Sequence, residues 1–319
     1  MSEIHLPDVT SWQGAVRLSD LGIIQAQGAD AASFLHGQLS QDIQHLGASE
    51  ARLAAYCSAK GRMLGSFVVL HPQAETYWLL ADRELVAGLV KRLSMFVLRA
   101  KARVTEATVQ AVGLVGPAAV ATLGGTASAD AWSVQACAGG TLVRLPDVQA
   151  QPRWIWLGAE DAAQAVLKQL PALPLAQWQW LEVMSGLPRV QAGTADQFVP
   201  QMINFELIGG VNFQKGCYPG QEVVARSQYR GTTKRRAFLG HARAEMKPGQ
   251  EVFSETDPGQ PAGLVINAAP LPGTDGAFSA LLELKLAARE AGLHLGSAEG
   301  PTLTLGVLPY VVPMDTVED

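Results

Sequence analysis

The chain has 319 residues, with 24 basic and 29 acidic side chains and a formal net charge of -5. Charged residues make up 17% and hydrophobic residues 48% of the sequence, a balance that excludes an intrinsically disordered protein. The acidic balance argues against broad nucleic-acid binding, which depends on many basic side chains. A chain of this length exceeds what one compact core usually serves, so two or three domains are expected.

Several classes of protein are disfavoured by simple patterns. No apolar window is long enough to span a membrane, and the N-terminus lacks a basic segment followed by an apolar run. We therefore expect a cytoplasmic protein. The three cysteines, Cys57, Cys137 and Cys217, form no C-x-x-C pair, and the histidines show no metal-ligand spacing. Neither a disulfide scaffold nor a metal site is predicted.

The first third of the chain shows hairpin patterns and one strong amphipathic helix. Asp30 is placed to cap a short helix, because its carboxylate can accept from the free N–H groups of the first turn. Asp82 precedes the amphipathic helix, which carries an apolar face. The predicted strands cover 53–58, 65–71, 76–81 and 101–105. This order of elements predicts a compact α+β unit.

The pattern resets after position 109 and changes again near position 237. The middle region is predicted to contain strands through 115 and near 132–136, 141–145 and 153–157, with helices at 159–170 and 177–185. The last region has short strands separated by Pro-Gly and related turns. That regular spacing predicts a small β-barrel or sandwich.

A local excess of positive charge lies between these two regions. Six basic residues and one acid, Glu222, fall between positions 215 and 236. The basic cluster comprises Lys215, Arg226, Arg230, Lys234, Arg235 and Arg236. Arginine suits carboxylates because its planar fork donates two parallel hydrogen bonds, so the cluster is either an anion site or a solvated face. The acidic background of the chain favours the anion site.

Cys217 lies in a glycine-bracketed loop inside this basic cluster. Pro219 suits the first position of a helix, so the loop is predicted to lead into a short helix at 219–227. A thiol just outside a helix N-terminus, two residues from Lys215, lies where positive potential favours the thiolate. Cys217 is therefore a candidate reactive cysteine, and a small buried residue in a packed turn is an equally weighted alternative.

The residues around Cys217 also carry a family resemblance. The string Lys215-Gly216-Cys217-Tyr218-Pro219-Gly220-Gln221-Glu222-Val223-Val224-Ala225-Arg226 resembles the signature of the YgfZ family. That family comprises folate-binding proteins related to the aminomethyltransferase (T-protein) of the glycine cleavage system. Further matches lie at Gly28-Ala29-Asp30, at Phe34 to Asp42, at Ala59 to Met63, at Gln197 to Gln201, at Gly209-Gly210-Val211 and at Leu308-Pro309-Tyr310. The resemblance spans nearly the whole chain.

The resemblance implies an α+β fold in a three-domain, aminomethyltransferase-like arrangement around a central channel that holds folate. Mapped onto this chain, a discontinuous first domain covers 1–49 and 108–228 and contains the signature loop. An inserted ferredoxin-like α+β domain covers 50–107. A C-terminal β-barrel domain covers 229–319.

The resemblance further implies where the ligand binds. Trp178 matches a family tryptophan at the folate, where an indole face can stack on a flat ring, whereas Trp180 is better explained as a core residue. Leu21 matches a second folate position and keeps an apolar wall there. The further candidate contacts to tetrahydrofolate or its polyglutamates are Gln221, Glu222 and Arg226. The candidate reactive group consists of Cys217, Lys215 and Tyr218.

One departure from the related enzymes bears on activity. Leu64 and Gly65 occupy the positions where aminomethyltransferases carry an acidic pair, one member of which helps to move protons beside the folate. Without that carboxylate, aminomethyl transfer has no general base at the expected place. Whether the protein is an enzyme is therefore left open.

The function that the resemblance implies is tetrahydrofolate binding in support of iron–sulfur cluster synthesis or repair in client enzymes, including enzymes that modify tRNA. Two alternatives stay open: a folate-dependent aminomethyl transferase or demethylase, and a non-catalytic folate-responsive adaptor in which Cys217 is structural. The expected partners are folate and, transiently, iron–sulfur client proteins or assembly factors. No direct contact with nucleic acid or with a membrane is expected.

Overall fold

The computed structural model describes residues 4–229 and 233–313. Within these ranges, no helix has both the length and the apolar character that crossing a membrane requires. The α-helices are α1 (Ala31–Gln38), α2 (Val86–Val97), α3 (Pro117–Thr122), α4 (Glu160–Gln169), α5 (Leu175–Met184) and α6 (Gln221–Tyr229). Short 3₁₀ helices cover Arg83–Leu85, Ala192–Thr194, Pro200–Ile203 and Leu286–Ala288.

The strands form two open sheets and one closed barrel. Those of the open sheets are β1 (Gly14–Arg17), β2 (Leu21–Gln27), β3 (Ala51–Cys57), β4 (Met63–Gln73), β5 (Thr76–Asp82), β6 (Arg103–Glu106), β7 (Gln110–Val115), β8 (Val134–Cys137), β9 (Gly140–Val148) and β10 (Gln151–Gly158). Those of the barrel are β11 (Arg235–Ala242), β12 (Glu251–Ser254), β13 (Gly263–Pro270), β14 (Phe278–Lys285), β15 (Leu293–Leu295) and β16 (Thr302–Leu305).

The first sheet is antiparallel, with the order β1-β7-β10-β9-β8. Alternation along β10 divides its side chains between two cores, because successive residues of a strand face opposite sides of a sheet. Trp154 and Trp156 pack with buried residues of α3 and α4 on one face. Ile155 and Leu157 belong to the large core on the other face, which also includes residues of α5. The first sheet therefore has helices on both faces.

The second sheet, in the order β3-β4-β5-β2-β6, is antiparallel as well. Its predicted strands and the following helix are present, and α2 buries Val86, Leu89 and Leu93 against it. Strand β2 pairs with both β5 and β6, so this sheet also takes in residues outside the range 50–107.

Two aspartates that were expected to cap helices behave differently. The Asp82 carboxylate accepts from the Glu84 backbone N–H at 3.1 Å, at the start of the 3₁₀ turn before α2. Asp30 precedes α1 but makes no side-chain cap. Its carboxylate instead accepts from the backbone N–H of Lys101 at 2.7 Å. The prediction for Asp30 was wrong because a donor from a distant segment takes up the carboxylate.

The C-terminal strands close into a six-stranded barrel, which confirms the barrel predicted from the turn spacing. The barrel closes where β16 pairs with β11. Helix α5 packs against the barrel, and the indole N–H of Trp180 donates to Ser279 Oγ at 2.9 Å. His241 Nδ1 lies 2.9 Å from the same hydroxyl oxygen. The Ser279 hydroxyl thus accepts from Trp180 and also shares a hydrogen bond with His241, whose tautomer sets the direction of that bond.

This buried network makes the stability of the protein sensitive to acid. Burial lowers the pKa of His241 below its ordinary value of 6.5. A base whose pKa is lower in the folded state contributes stability above its unfolded pKa, and that stability is lost as the pH falls from 6.5 through the folded pKa. We expect the melting temperature of His241→Gln to fall less than that of the wild type when the pH is lowered through this range. Calorimetry at stepped pH measures the difference.

The matched control is His5→Gln, since His5 is exposed. Its melting temperature should follow the pH as the wild type does. Equal acid sensitivity of His241→Gln and the wild type would show that the buried imidazole does not control this transition.

Candidate functional site

A central cavity of about 190 Å³ lies where the two sheets, α5 and the barrel meet. Leu21 and Ser66 reach it from the second sheet, Arg153 and Ile155 from the first, and Asn267 from the barrel. Most of the wall is apolar, with a few polar groups converging on one region, the usual composition of a small-molecule site.

The polar region of the cavity is organised around Arg189. Its guanidinium lies 2.7 Å from Asp20 Oδ2, 3.5 Å from Glu182 Oε2 and 3.9 Å from Asp82 Oδ2. Burial raises the pKa of Glu182, and the charge of Arg189 opposes that effect. Burial disfavours the charge of Arg189, but the carboxylates of Glu182 and Asp20 outweigh it and raise the arginine pKa. The group is a compact, charged ion cluster.

The backbone of Arg189 ties this ion cluster to the barrel. The Arg189 N–H donates to Asn267 Oδ1 at 2.8 Å, and Asn267 Nδ2 donates back to the Arg189 carbonyl at 2.8 Å. Two parts of the cavity wall, at Arg189 and in the barrel, are thereby joined directly. A site held in this way is preorganised, which reduces the entropy lost on binding.

Three polar atoms of the cavity walls have no hydrogen-bond partner among the described residues. They are Asp20 Oδ1, Arg153 Nη1 and Arg189 Nη1, and all three are buried; Arg189 Nη1 lies 3.5 Å from Glu182 Oε2 as an ion pair without hydrogen-bond geometry. Leaving a buried polar atom unpaired costs roughly 1–3 kcal/mol. One acceptor and two donors without partners thus belong to residues that line the cavity.

Trp132 supplies an aromatic wall that the sequence analysis missed. It lines the cavity and is half-buried, and its backbone φ of 69° is unusual for a bulky residue. The backbone N–H of Trp132 donates to the Arg144 carbonyl at 2.8 Å, and the backbone carbonyl of Trp132 accepts from the Ala51 N–H at 2.7 Å. These bonds join the two sheets and hold the strained residue in place. A tryptophan in a loop of small and polar residues was the available signal.

Of the two predicted walls, Leu21 lines the cavity and Trp178 does not. Trp178 is 0% exposed and packs against Gly113, where an added Cβ would lie 2.6 Å from its ring. The guanidinium carbon of Arg153 lies 5.5 Å from the centre of the Trp178 ring. Burial lowers the pKa of Arg153 to about 10. Trp178 thus supports the arginine that faces the cavity rather than offering its own ring to a ligand.

The signature loop presents Cys217 on the surface. Its side chain is exposed, so the alternative of a small buried residue is wrong. Lys215 Nζ donates to the carbonyls of Leu39, at 2.7 Å, and His36, at the C-terminal end of α1. A cation is favoured there because the last carbonyls of a helix are unpaired and carry partial negative charge. Lys215 is thus anchored beside the cysteine.

The groups around Cys217 have perturbed acidities. Burial lowers the pKa of Lys215 to about 8, and it raises that of Tyr218, whose ring centre lies 5.0 Å from the ammonium. His36 Nδ1 lies 3.1 Å from Asp42 Oδ1, while its Nε2 would lie 3.7 Å from a Cβ at Gly216. The sequence analysis missed His36 as a neighbour of the loop.

The other candidate folate contacts lie on α6, which begins at Gln221 rather than at the predicted position 219. Glu222 and Arg226 are exposed, and Gln221 is partly buried. Among the described residues, none from 212 to 229 lines the cavity. Contact of these three side chains with a folate therefore stays a prediction, and it concerns a surface outside the cavity.

The predicted basic cluster does not act as a single anion site. Arg235 Nη1 donates to both carboxylate oxygens of Glu283 at 2.9 Å, and Arg236 pairs with Glu206. Both acids are almost completely buried. Arg226 and Lys234 are exposed, and Arg230 lies outside the described residues. The local excess of charge in the sequence is partly cancelled by acids that are distant along the chain.

The positions of the missing acidic pair lie beside the cavity rather than in it. Leu64 packs with the core under α2, and a Cβ at Gly65 would meet the Leu89 side chain at 3.1 Å. The next residue, Ser66, lines the cavity, and its Oγ accepts from the Val190 N–H at 2.9 Å. This part of the wall carries no carboxylate.

The chain is similar in sequence to curated proteins of one name. The chain is 33% identical over 308 residues to the tRNA-modifying protein YgfZ of Edwardsiella ictaluri, covering 92% of each chain. It is 29% identical over 307 residues to the protein of that name from Sodalis glossinidius, covering 93% of each chain. No protein-family model matches the chain.

Among solved structures, the chain is similar to the glycine cleavage system aminomethyltransferase T from Bartonella henselae. The TM-score is 0.75 with 17% sequence identity, over 95% of this chain and 87% of that one. At such low identity the likeness concerns the fold alone. It confirms the aminomethyltransferase-like α+β architecture expected from the sequence.

Proposed function

The chain belongs to the family of the tRNA-modifying protein YgfZ, and on that premise we propose that it binds tetrahydrofolate in the central cavity and supports iron–sulfur cluster synthesis or repair. The client enzymes would include enzymes that modify tRNA. The observation that carries the folate part is that Asp20, Arg153 and Arg189, each with a polar atom lacking a hydrogen-bond partner, line one mostly apolar cavity.

The chemistry of a pterin ring matches these atoms. One edge of the ring carries an amino group beside a ring N–H, and a carbonyl oxygen lies next to them. A carboxylate can accept two parallel hydrogen bonds from such adjacent donors, and a guanidinium can donate to the carbonyl. Asp20 and Glu182 would accept, and Arg153 and Arg189 would donate.

The size of the cavity determines which part of the folate it can hold. Its volume of about 190 Å³ lies below the roughly 300 Å³ at the lower end of ligand pockets. The pterin head would occupy the cavity, and the aminobenzoyl-glutamate tail would extend out of it. Trp132 and Leu21 would contact the flat faces of the ring, because an indole and an aliphatic side chain both pack well on aromatic surfaces.

The transferase alternative is disfavoured by the residues present. Leu64 and Gly65 offer no general base. The carboxylates that do line the cavity, Asp20 and Glu182, are paired with Arg189, which favours their role as hydrogen-bond acceptors. Binding without aminomethyl transfer fits this arrangement better.

The folate proposal predicts selective losses of affinity. Trp132→Ala should weaken tetrahydrofolate binding by roughly 1–3 kcal/mol, the range found for losing an aromatic stacking partner. Glu182→Gln should also weaken binding, because an amide offers one acceptor oxygen where the carboxylate offers two. Isothermal titration calorimetry with tetrahydrofolate measures both.

Two matched variants provide the controls. Trp178→Ala should mainly lower the stability of the protein. Replacing a buried tryptophan by alanine typically lowers the free energy of unfolding by about 3–5 kcal/mol. Glu160→Gln changes an exposed carboxylate outside the cavity and should leave affinity unchanged. The folate proposal fails if the wild type binds no reduced folate, or if Trp132→Ala binds as the wild type does.

The second part of the proposed function depends on Cys217. Because this side chain is exposed and outside the cavity, Cys217→Ala and Cys217→Ser should keep the wild-type melting temperature and folate affinity. Both should fail to restore the activity of an iron–sulfur enzyme that modifies tRNA, in a strain lacking the native protein. Iodoacetamide should label Cys217 first, because burial raises the pKa of Cys57 to about 12.

Gln214→Ala is the control for this experiment, since Gln214 is an exposed residue of the same loop. It should restore the client enzyme fully. Full restoration by Cys217→Ala would instead favour the non-catalytic adaptor.

A further inference from the structure

The C-terminal end of α2 carries an unusual surface, which we call the α2 tip. Its apolar residues are Met95, Phe96 and Leu98, which are 58%, 46% and 86% exposed. Its basic residues, all exposed, are Lys91, Arg92, Arg99, Lys101 and Arg103. No acidic residue lies between positions 85 and 105. A cationic, apolar surface of this kind stands out in a chain of net charge -5.

The packing of α2 does not account for the α2 tip. The inner face of the helix is already buried through Val86, Leu89 and Leu93. Met95 lies one turn after Lys91 and therefore shares its outer face. Strand β6 is an edge strand, and basic side chains on an edge discourage pairing with other strands, which explains Arg103. That explanation does not extend to three exposed apolar side chains.

Leu98 is held in a strained backbone conformation. Its φ is 47° and its ψ is -105°, a region that L-residues with a side chain rarely adopt. The side chain nevertheless points into solvent, where it stabilises no core. Strain of this kind destabilises the fold and is concentrated at functional sites.

The positive charge of the α2 tip is not neutralised within the part of the chain that the structure describes. None of the five cations forms an ion pair with a carboxylate there. The Asp30 carboxylate accepts from the backbone N–H of Lys101 and not from its ammonium. The guanidinium carbon of Arg92 lies 6.0 Å from the ring centre of Tyr56.

We propose that the α2 tip is a docking surface for an acidic partner protein, whose carboxylates pair with the five cations around an apolar contact at Met95, Phe96 and Leu98. Protein interfaces favour Met, Phe and Arg and place apolar residues at the centre of a polar rim. An RNA partner would use stacking aromatic residues, and the tip has one, whereas its two aliphatic side chains would gain little from phosphates.

This surface shares no residue with the folate cavity. The docking proposal therefore does not rest on folate binding, and variants of the α2 tip should bind tetrahydrofolate as the wild type does. Loss of both activities in one variant would be recognised as unfolding by its melting temperature.

The test uses a fluorescein-labelled synthetic helix with leucine and phenylalanine on one face and glutamate on the other. Fluorescence anisotropy should show saturable binding to the full-length protein, weakening as salt is raised because exposed charges are screened. The triple variant M95S/F96S/L98S should weaken binding at least about tenfold, as expected for the centre of an interface. Hydrogen exchange should show protection at 91–103.

Controls separate the α2 tip from general exposure and charge. Val307→Ser removes an apolar side chain that is 90% exposed, and Lys247→Gln removes an exposed lysine. Neither should change the affinity for the probe. Leu98→Gly should raise the melting temperature by relieving strain. It should still lower the affinity for the probe, a combination that a purely structural role of Leu98 would not produce.

Three results would overturn the proposal. They are no binding of the probe by the wild type, equal binding by the triple variant, or binding of tRNA or of anionic phosphatidylserine vesicles that depends on the α2 tip while peptide binding does not. The last result would assign the surface to a nucleic acid or a membrane.

Discussion

The ion cluster around Arg189 is the interaction on which the arrangement of the whole molecule depends. The side chain pairs with Asp20 and Asp82, which flank strands of the second sheet, and with Glu182 on α5. The backbone of the same residue exchanges two hydrogen bonds with Asn267 in the barrel. Removing one member of this partly buried cluster would leave another charge without its partner and would therefore destabilise the fold. One residue thus joins three parts of the chain and shapes the cavity between them.

The cavity and the exposed cysteine are two separate sites in this arrangement. The wall residue Phe205 belongs to the same core as Met63 and Phe198, and this core also contains Val224 of α6. Hydrogen bonds join its parts: Met63 N–H donates to the Phe198 carbonyl at 2.8 Å, and Gln201 Nε2 donates to the Val224 carbonyl at 2.9 Å. One continuous core thus connects the cavity wall with α6, the helix that follows the loop of Cys217.

The sequence predicted elements whose determinants are local. Turn residues and alternation predicted four of the five strands of the second sheet and the existence of short strands in the last region, but not β2; the resemblance supplied their assembly. The local sequence pattern could not predict features that depend on partners distant along the chain. Asp30 has the sequence of a cap but accepts from Lys101, and Arg235 and Arg236 belong to a basic stretch yet pair with remote acids.

The cavity itself shows the same limit. Leu21 lines the cavity, whereas Trp178 matches a family position but lies beneath Arg153. The sequence did not predict Trp132 as a wall residue, because its place at the cavity depends on backbone hydrogen bonds to two different sheets. Glu182 lies within an apolar helical run, where a lone carboxylate signals a buried partner, but only the fold identifies that partner as Arg189.

A crystal structure of the complex with tetrahydrofolate tests the central claim most directly. We expect density for the pterin ring inside the cavity, with its donor edge on the carboxylates of Asp20 or Glu182, a guanidinium on its carbonyl and Trp132 against one face. Density for the ring on the surface of α6, or an unaltered cavity at saturating ligand, would contradict this account of the site.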